Sequence, residues 1–296
     1  MSEFQQMLSD RSFLLTTSVF FSVFNSWVAF KKGFFRYPFK EKSLEFNVTL
    51  GILVGAFVVF LAIQVVFIPA IFGAYFYFKT GEWADFSKVR LDTHMMGWLN
   101  VFSMVTSSLG VIIYSSFLAP QLRRVIWERG ERHRPSWHIR SLLFGALTWL
   151  ISYPIVMVLV QVFSLFLNWI FQVPDVDQVA VKALKMTLEF PALFSVTLVS
   201  MILFVPIVEE LLFRGCLQTW LRGHFSRNGS IFLSSLVFAL FHFAYSQGIS
   251  NMVFVVGLFA LSCFLGFIYE RQRSLWAPIG LHSFFNAISV LVVVFS

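Results

Sequence analysis

Eight predominantly apolar stretches, separated by short polar or basic segments, account for most of the 296-residue chain. They run from Ser12 to Phe30, Asn47 to Phe78, Gly97 to Leu118, Ile139 to Phe171, Phe190 to Phe213, Ser230 to Tyr245, Met252 to Tyr269 and Leu275 to Phe295. A helix of about 20 apolar residues crosses the hydrocarbon core of a bilayer. Helices and closed barrels are the folds that satisfy every backbone polar group there. The runs therefore predict an all-α polytopic membrane protein with about eight transmembrane helices. Composition agrees, because only 12% of residues are charged, against roughly 25% in soluble domains. Ser22, Asn25 and Ser26 dilute the first run, so it alternatively lies in the interface as an amphipathic anchor, leaving seven spans. Pro69 and Pro154 fall inside the two runs that exceed one bilayer thickness and predict tilted or kinked helices.

The net charge of +7 is explained by topology, without a nucleic-acid partner. With the N-terminus outside, the segments Lys31 to Glu45, Ala119 to Arg140, Gly215 to Gly229 and Glu270 to Ser274 face inward and hold fifteen of the 22 Lys and Arg. The outer loops, Lys79 to Met96 and Gln172 to Glu189, show no basic excess; the second carries Asp175, Asp177 and Glu189 against two lysines. This is the positive-inside pattern. The first run lacks the flanks of a cleaved secretory signal and is expected to be retained. Without a transit or retention signal, a prokaryotic plasma or inner membrane is the expected location. His133 and His138, in the basic segment ERGERHRPSWHIR, are read as solvated loop residues or anionic-lipid contacts, and His94 and His224 as loop residues. Cys216 and Cys263 have no CxxC spacing, so they predict small packing residues rather than a disulfide framework or a zinc site.

Against this apolar background the last third places a few ionisable and amide groups inside spans: Glu209, Glu210 and Arg214, then His242, then His282 and Asn286. A charge at the centre of a spanning helix costs about 2.5 to 3.5 kcal/mol on insertion scales, so such groups mark function. Glu210 and Arg214 are four apart and share a helix face, as do His282 and Asn286; Glu209 is turned about 100° from Glu210. A carboxylate in a low-dielectric cleft is suited to act as general base towards water. A neighbouring histidine positions that water, and a second histidine with an amide donates to an oxyanion. Pro206, three residues before Glu209, is expected to loosen the helix where water enters. Gly215, Gly257, Gly266 and Gly280 are expected to allow close helix approach.

EELLFR at Glu209 to Arg214, FALFH at Phe238 to His242 and HSFFN at His282 to Asn286 resemble the EExxxR, FxxxH and HxxxN motifs of the CAAX protease and bacteriocin-processing family of intramembrane endopeptidases. The order matches, and so does the placement on successive apolar helices. The resemblance covers residues 190–296 as a protease domain, with residues 1–189 forming preceding helices and loops. It implies that Glu209 activates water with His242, that His282 and Asn286 form an oxyanion hole, and that Glu210 with Arg214 supports the site. It further implies a metal-independent enzyme, with no cofactor, acting on membrane-associated peptides or proteins. Three alternatives stand beside it. Glu209, His242 and His282 also make a His2Glu zinc set, although no HExxH occurs. A catalytically silent binding or bacteriocin-immunity protein would keep the same residues. A proton-relay transporter fits less well, since the polar groups converge on one region.

Overall fold

The computed structural model describes residues 3–38, 47–82, 92–129, 135–172 and 179–295; His133, Asp175 and Asp177 lie outside them. The protein is all-α. Its helices are α1 (Glu3–Lys31), α2 (Leu50–Thr80), α3 (Thr93–Ser116), α4 (Pro120–Trp127), α5 (Pro135–Phe171), α6 (Val179–Lys185), α7 (Pro191–Leu221), α8 (Arg227–Phe241), α9 (Met252–Gln272) and α10 (Trp276–Phe295). Among the described residues seven helices are long and apolar enough to cross a membrane, and Ser12–Lys31 is one of them. The diluted first run is thus a spanning-length helix. It is stitched to α5 by a hydrogen bond from the Asn25 amide to the Leu150 carbonyl and one from Gln161 Nε2 to Ser18 Oγ, 3.3 Å.

The sixth run, Ser230 to Tyr245, forms α8, which has only 15 residues, or about 22 Å. Its neighbours in sequence show which way it goes. Arg214 bonds Ser262, Gln218 bonds Gly266, and Arg222 approaches Glu270 at 3.6 Å. Partners advancing by four residues in the same sense on both helices mean that α7 and α9 run parallel. The helix between them therefore carries the chain back through the same layer.

Side-chain caps set several helix starts. Asp92 Oδ1 accepts from Met95 N at 2.7 Å, which begins α3 earlier than its apolar run and brings His94 into the helix. Ser226 Oγ accepts from Gly229 N at 3.3 Å and starts α8. These are ordinary N-caps. His138 is likewise in a helix, α5, where its Nε2 lies 3.0 Å from Glu128 Oε2, so it is not a loop residue. His224 does lie in the turn after α7.

Pro154 lies inside the uninterrupted α5, whereas Pro69 and Pro206 share another local solution. Ile63–Phe67 in α2 and Ser200–Phe204 in α7 are π-helical turns, each ending two residues before a proline, Pro69 and Pro206. Proline lacks an N–H and its ring clashes with the carbonyl four residues back. An extra residue in the turn moves that carbonyl away.

Helix α5 is packed by α1, α9 and α10. The approach of α5 and α10 depends on two glycines. A Cβ on Gly280 would strike the Leu142 carbonyl oxygen, and one on Gly145 would strike the Ala277 carbonyl oxygen. Gly280→Leu is therefore expected to destabilise by about 3 kcal/mol, the upper end of overpacking costs, because backbone is the obstruction. Thermal melting in detergent would register this, and an unchanged melting temperature would refute it.

Candidate active site

Three helices bring the sequence-predicted residues together. From α7, Glu209 Oε1 lies 3.4 Å from His242 Nε2, just past the end of α8, and Glu209 Oε2 lies 3.8 Å from His282 Nε2 on α10. From the next residue, Glu210 Oε1 lies 2.7 Å from His282 Nδ1 and accepts from Arg214 Nη1 at 3.1 Å. The His282 ring thus stands between the two glutamates. The Glu209 and His242 side chains keep 17% and 29% exposure, whereas Glu210 and Arg214 are at 0% and 1%. The pair splits into an accessible carboxylate and a sealed one, as the 100° turn between adjacent helical residues requires.

Arg214 is held at both terminal nitrogens, while its buried Nε has no hydrogen-bond partner. Its Nη2 donates to Ser262 Oγ at 2.7 Å and to the Ser262 carbonyl at 3.3 Å, and its guanidinium lies 4.6 Å from the centre of the Phe238 ring. Phe238, fully buried, also packs against the His242 ring at 4.6 Å. The first position of the second motif therefore forms the wall between the cation and the site histidine.

The hydrogen bonds assign the imidazole protons. His242 Nδ1 lies 2.8 Å from the Phe238 carbonyl, which only accepts, so Nδ1 carries the hydrogen and neutral His242 presents a lone pair at Nε2. His282 Nδ1 donates to the Glu210 carboxylate in the same way. Both Nε2 atoms then face the oxygens of Glu209 as acceptors. A water between Glu209 and His242 would find an acceptor for each of its protons.

Asn286 is placed differently from its companions. Its Nδ2 donates to the Met201 carbonyl at 2.9 Å. The π turn explains why that carbonyl needs a partner: Val205 N–H already goes to Ser200, and the residue five after Met201 is Pro206, which has no N–H. One amide hydrogen of Asn286 thus replaces a missing backbone donor, and the other remains for a ligand. Asn286→Ala is expected to destabilise by about 1 to 3 kcal/mol through the orphaned carbonyl, with Asn286→Gln recovering only part. Melting curves of both variants would show this.

Below Arg214 the same face of α7 continues through Gln218, which donates to the Gly266 carbonyl and to Glu270 Oε1, both at 3.2 Å. Glu270 pairs with Arg129 at 2.8 Å. Sequence reading placed Glu270 in a basic loop; it is a buried residue of α9. The signal was the four-residue spacing Glu210, Arg214, Gln218, Arg222. Of the glycines expected to permit close packing, a Cβ at Gly215 would come 2.7 Å from Ile126, at Gly257 2.7 Å from Val160, and at Gly266 2.7 Å from Gln218. Cys216 and Cys263 are free thiols. Among the described residues no group of three or more His, Cys, Asp or Glu is arranged to hold a metal ion.

Fold and site together define a multi-pass helical membrane protein with a polar centre of two glutamates, an arginine and two histidines enclosed by its last helices. Residues 191–288 match the model of the family described as Type II CAAX prenyl endopeptidase Rce1-like, which bears out the resemblance read from the three motifs. A Bacillus subtilis protein described as Uncharacterized protein YpbD is 33% identical over 86 residues, 29% of this chain and 40% of that protein. The chain thus matches less than half the length of that relative. No solved structure matches significantly.

Proposed function

We propose that the protein is an intramembrane endopeptidase in which Glu209 and His242 activate a water for attack on a peptide bond of a membrane-associated protein or peptide. The observation that carries this reading is the facing of both Glu209 oxygens by imidazole Nε2 atoms, at 3.4 and 3.8 Å, inside a spanning helix. A water bound between Glu209 and His242 gives its protons to two acceptors. Its oxygen lone pairs then point outward to a scissile carbonyl; Glu209 takes the proton as general base and returns it to the leaving amine nitrogen as the C–N bond breaks. The tetrahedral oxyanion needs donors. His282 supplies one only as the imidazolium, for which Glu210 at 2.7 Å is the counter-charge; the second amide hydrogen of Asn286 supplies another. Glu210 faces Arg214 as well, so protonation of His282 leaves the sealed part of the site with one positive charge in excess, which the oxyanion neutralises.

This mechanism uses no metal. Purified protein in liposomes, assayed on a membrane-anchored peptide library with and without a chelator, tests it. Chelator-resistant cleavage that is lost in both Glu209→Ala and His242→Ala is the expected result. Chelator-sensitive cleavage restored by zinc would transfer the same three residues to the metalloprotease reading. Folded wild-type protein that binds peptides without cleaving them would favour the binding or immunity reading.

A further inference from the structure

A cavity lies away from the glutamates, where α3 gives way to α4. It has a volume of about 510 Å³, within the roughly 300–1,000 Å³ usual for small-molecule sites. Its walls include Ser115 and Ser116 from the last turn of α3, Arg123, Arg124 and Trp127 from α4, and Glu128 just beyond. The last turn of a span and the first helix outside it meet at the depth of lipid headgroups, and Trp favours that layer. Among the described residues neither Arg123 nor Arg124 makes an ion pair, and both are exposed. Glu128, the acidic member of the wall, is engaged by His138 at 3.0 Å.

The wall is anchored. Ile126 of α4 is fully buried and lies against Gly215 of α7. The Tyr269 hydroxyl donates to the Ile126 carbonyl at 2.8 Å, and Arg129 is paired with Glu270. A two-arginine rim on a fixed helix, with an indole behind it, suits a phosphodiester at the end of an acyl chain; the Ser115 and Ser116 hydroxyls donate to the Ile112 and Ile113 carbonyls and only shape the wall. We propose that this cavity binds the headgroup of an anionic phospholipid of the phosphatidylglycerol type. Two arginines against one engaged carboxylate leave the wall net positive, complementary to a headgroup of net charge −1 rather than to a zwitterion. Basic pockets between transmembrane helices recognise lipid headgroups by this chemistry.

Native mass spectrometry of the full chain in detergent, titrated with phosphatidylglycerol, phosphatidylethanolamine or phosphatidylcholine of equal chain length, tests the assignment. Phosphatidylglycerol is expected to bind tightest. Arg123→Gln with Arg124→Gln should weaken it roughly thirtyfold, about fivefold per arginine near a lipid surface. Ser116→Trp, which fills the cavity and keeps the charges, should weaken it comparably. Lys31→Gln with Lys32→Gln makes the same change of charge at the end of α1 and should leave binding unaltered. Equal affinity for the three lipids, or equal loss in the Lys31/Lys32 variant, would overturn the proposal. Displacement by excess inorganic phosphate would assign the cavity to a soluble anion and overturn it equally.

Discussion

Cleavage by the Glu209→Gln protein is expected to fall by about 10²- to 10⁴-fold, the usual contribution of a general base. Glutamine keeps the shape of the side chain and its carbonyl acceptor but has no basic oxygen to receive the proton of water. The contacts at stake are long, 3.4 and 3.8 Å, and the side chain is partly exposed, so the fold should not depend on them. The variant is therefore expected to melt with wild type, which separates lost chemistry from lost structure. Single-turnover cleavage of an anchored fluorogenic peptide gives the rate. Retention of more than a tenth of wild-type activity would remove Glu209 from the role of base.

Arg214→Ala should show the opposite division, with the fold failing first. The Glu210 carboxylate is fully buried, and its Oε2 has no hydrogen-bond partner. Its Oε1 depends on Arg214 and His282. Removing one partner of a buried ion pair costs about 3 to 5 kcal/mol because the other charge is left uncompensated. Replacing both, Glu210→Gln with Arg214→Met, should recover most of that stability while leaving His282 without its counter-charge. The double variant is thus expected to fold and not to cleave. Melting temperatures of the single and double variants close the cycle, and a single variant as stable as wild type would show that the pair is solvated.

The acidic pair, its arginine and the two histidines were legible in the sequence because ionisable groups are rare in membrane-length apolar runs. Their spacing of three or four residues placed them on helix faces. The spans were legible for the same reason, down to the weak first run. What escaped notice depends on partners distant in sequence. Glu270 was read as part of a basic loop, since a charge at the end of a span gives no sign that Arg129, 141 residues away, is waiting for it. Pro206 signalled a loosened helix, but the form it takes, a π turn whose free carbonyl is met by Asn286, requires a helix 85 residues further on. Gly280 was singled out and Gly145 was not, although each receives the other's helix. Glu209 stands twelve residues before Leu221, the last residue of α7, about 18 Å of helix.

The shortness of α8 bears on how a hydrolytic reaction proceeds at that depth. A helix of about 22 Å beside a hydrocarbon layer of about 30 Å leaves the bilayer too thick at one edge of the protein. The deficit falls at the His242 end, since the other end of α8 is tied by its cap to the basic turn after α7. Lipids meet such a mismatch by thinning locally and drawing headgroups and water inward. The surface of the membrane is thereby lowered towards Glu209, and hydration of the site becomes a property of the surrounding lipid as much as of the protein, graded by acyl-chain length.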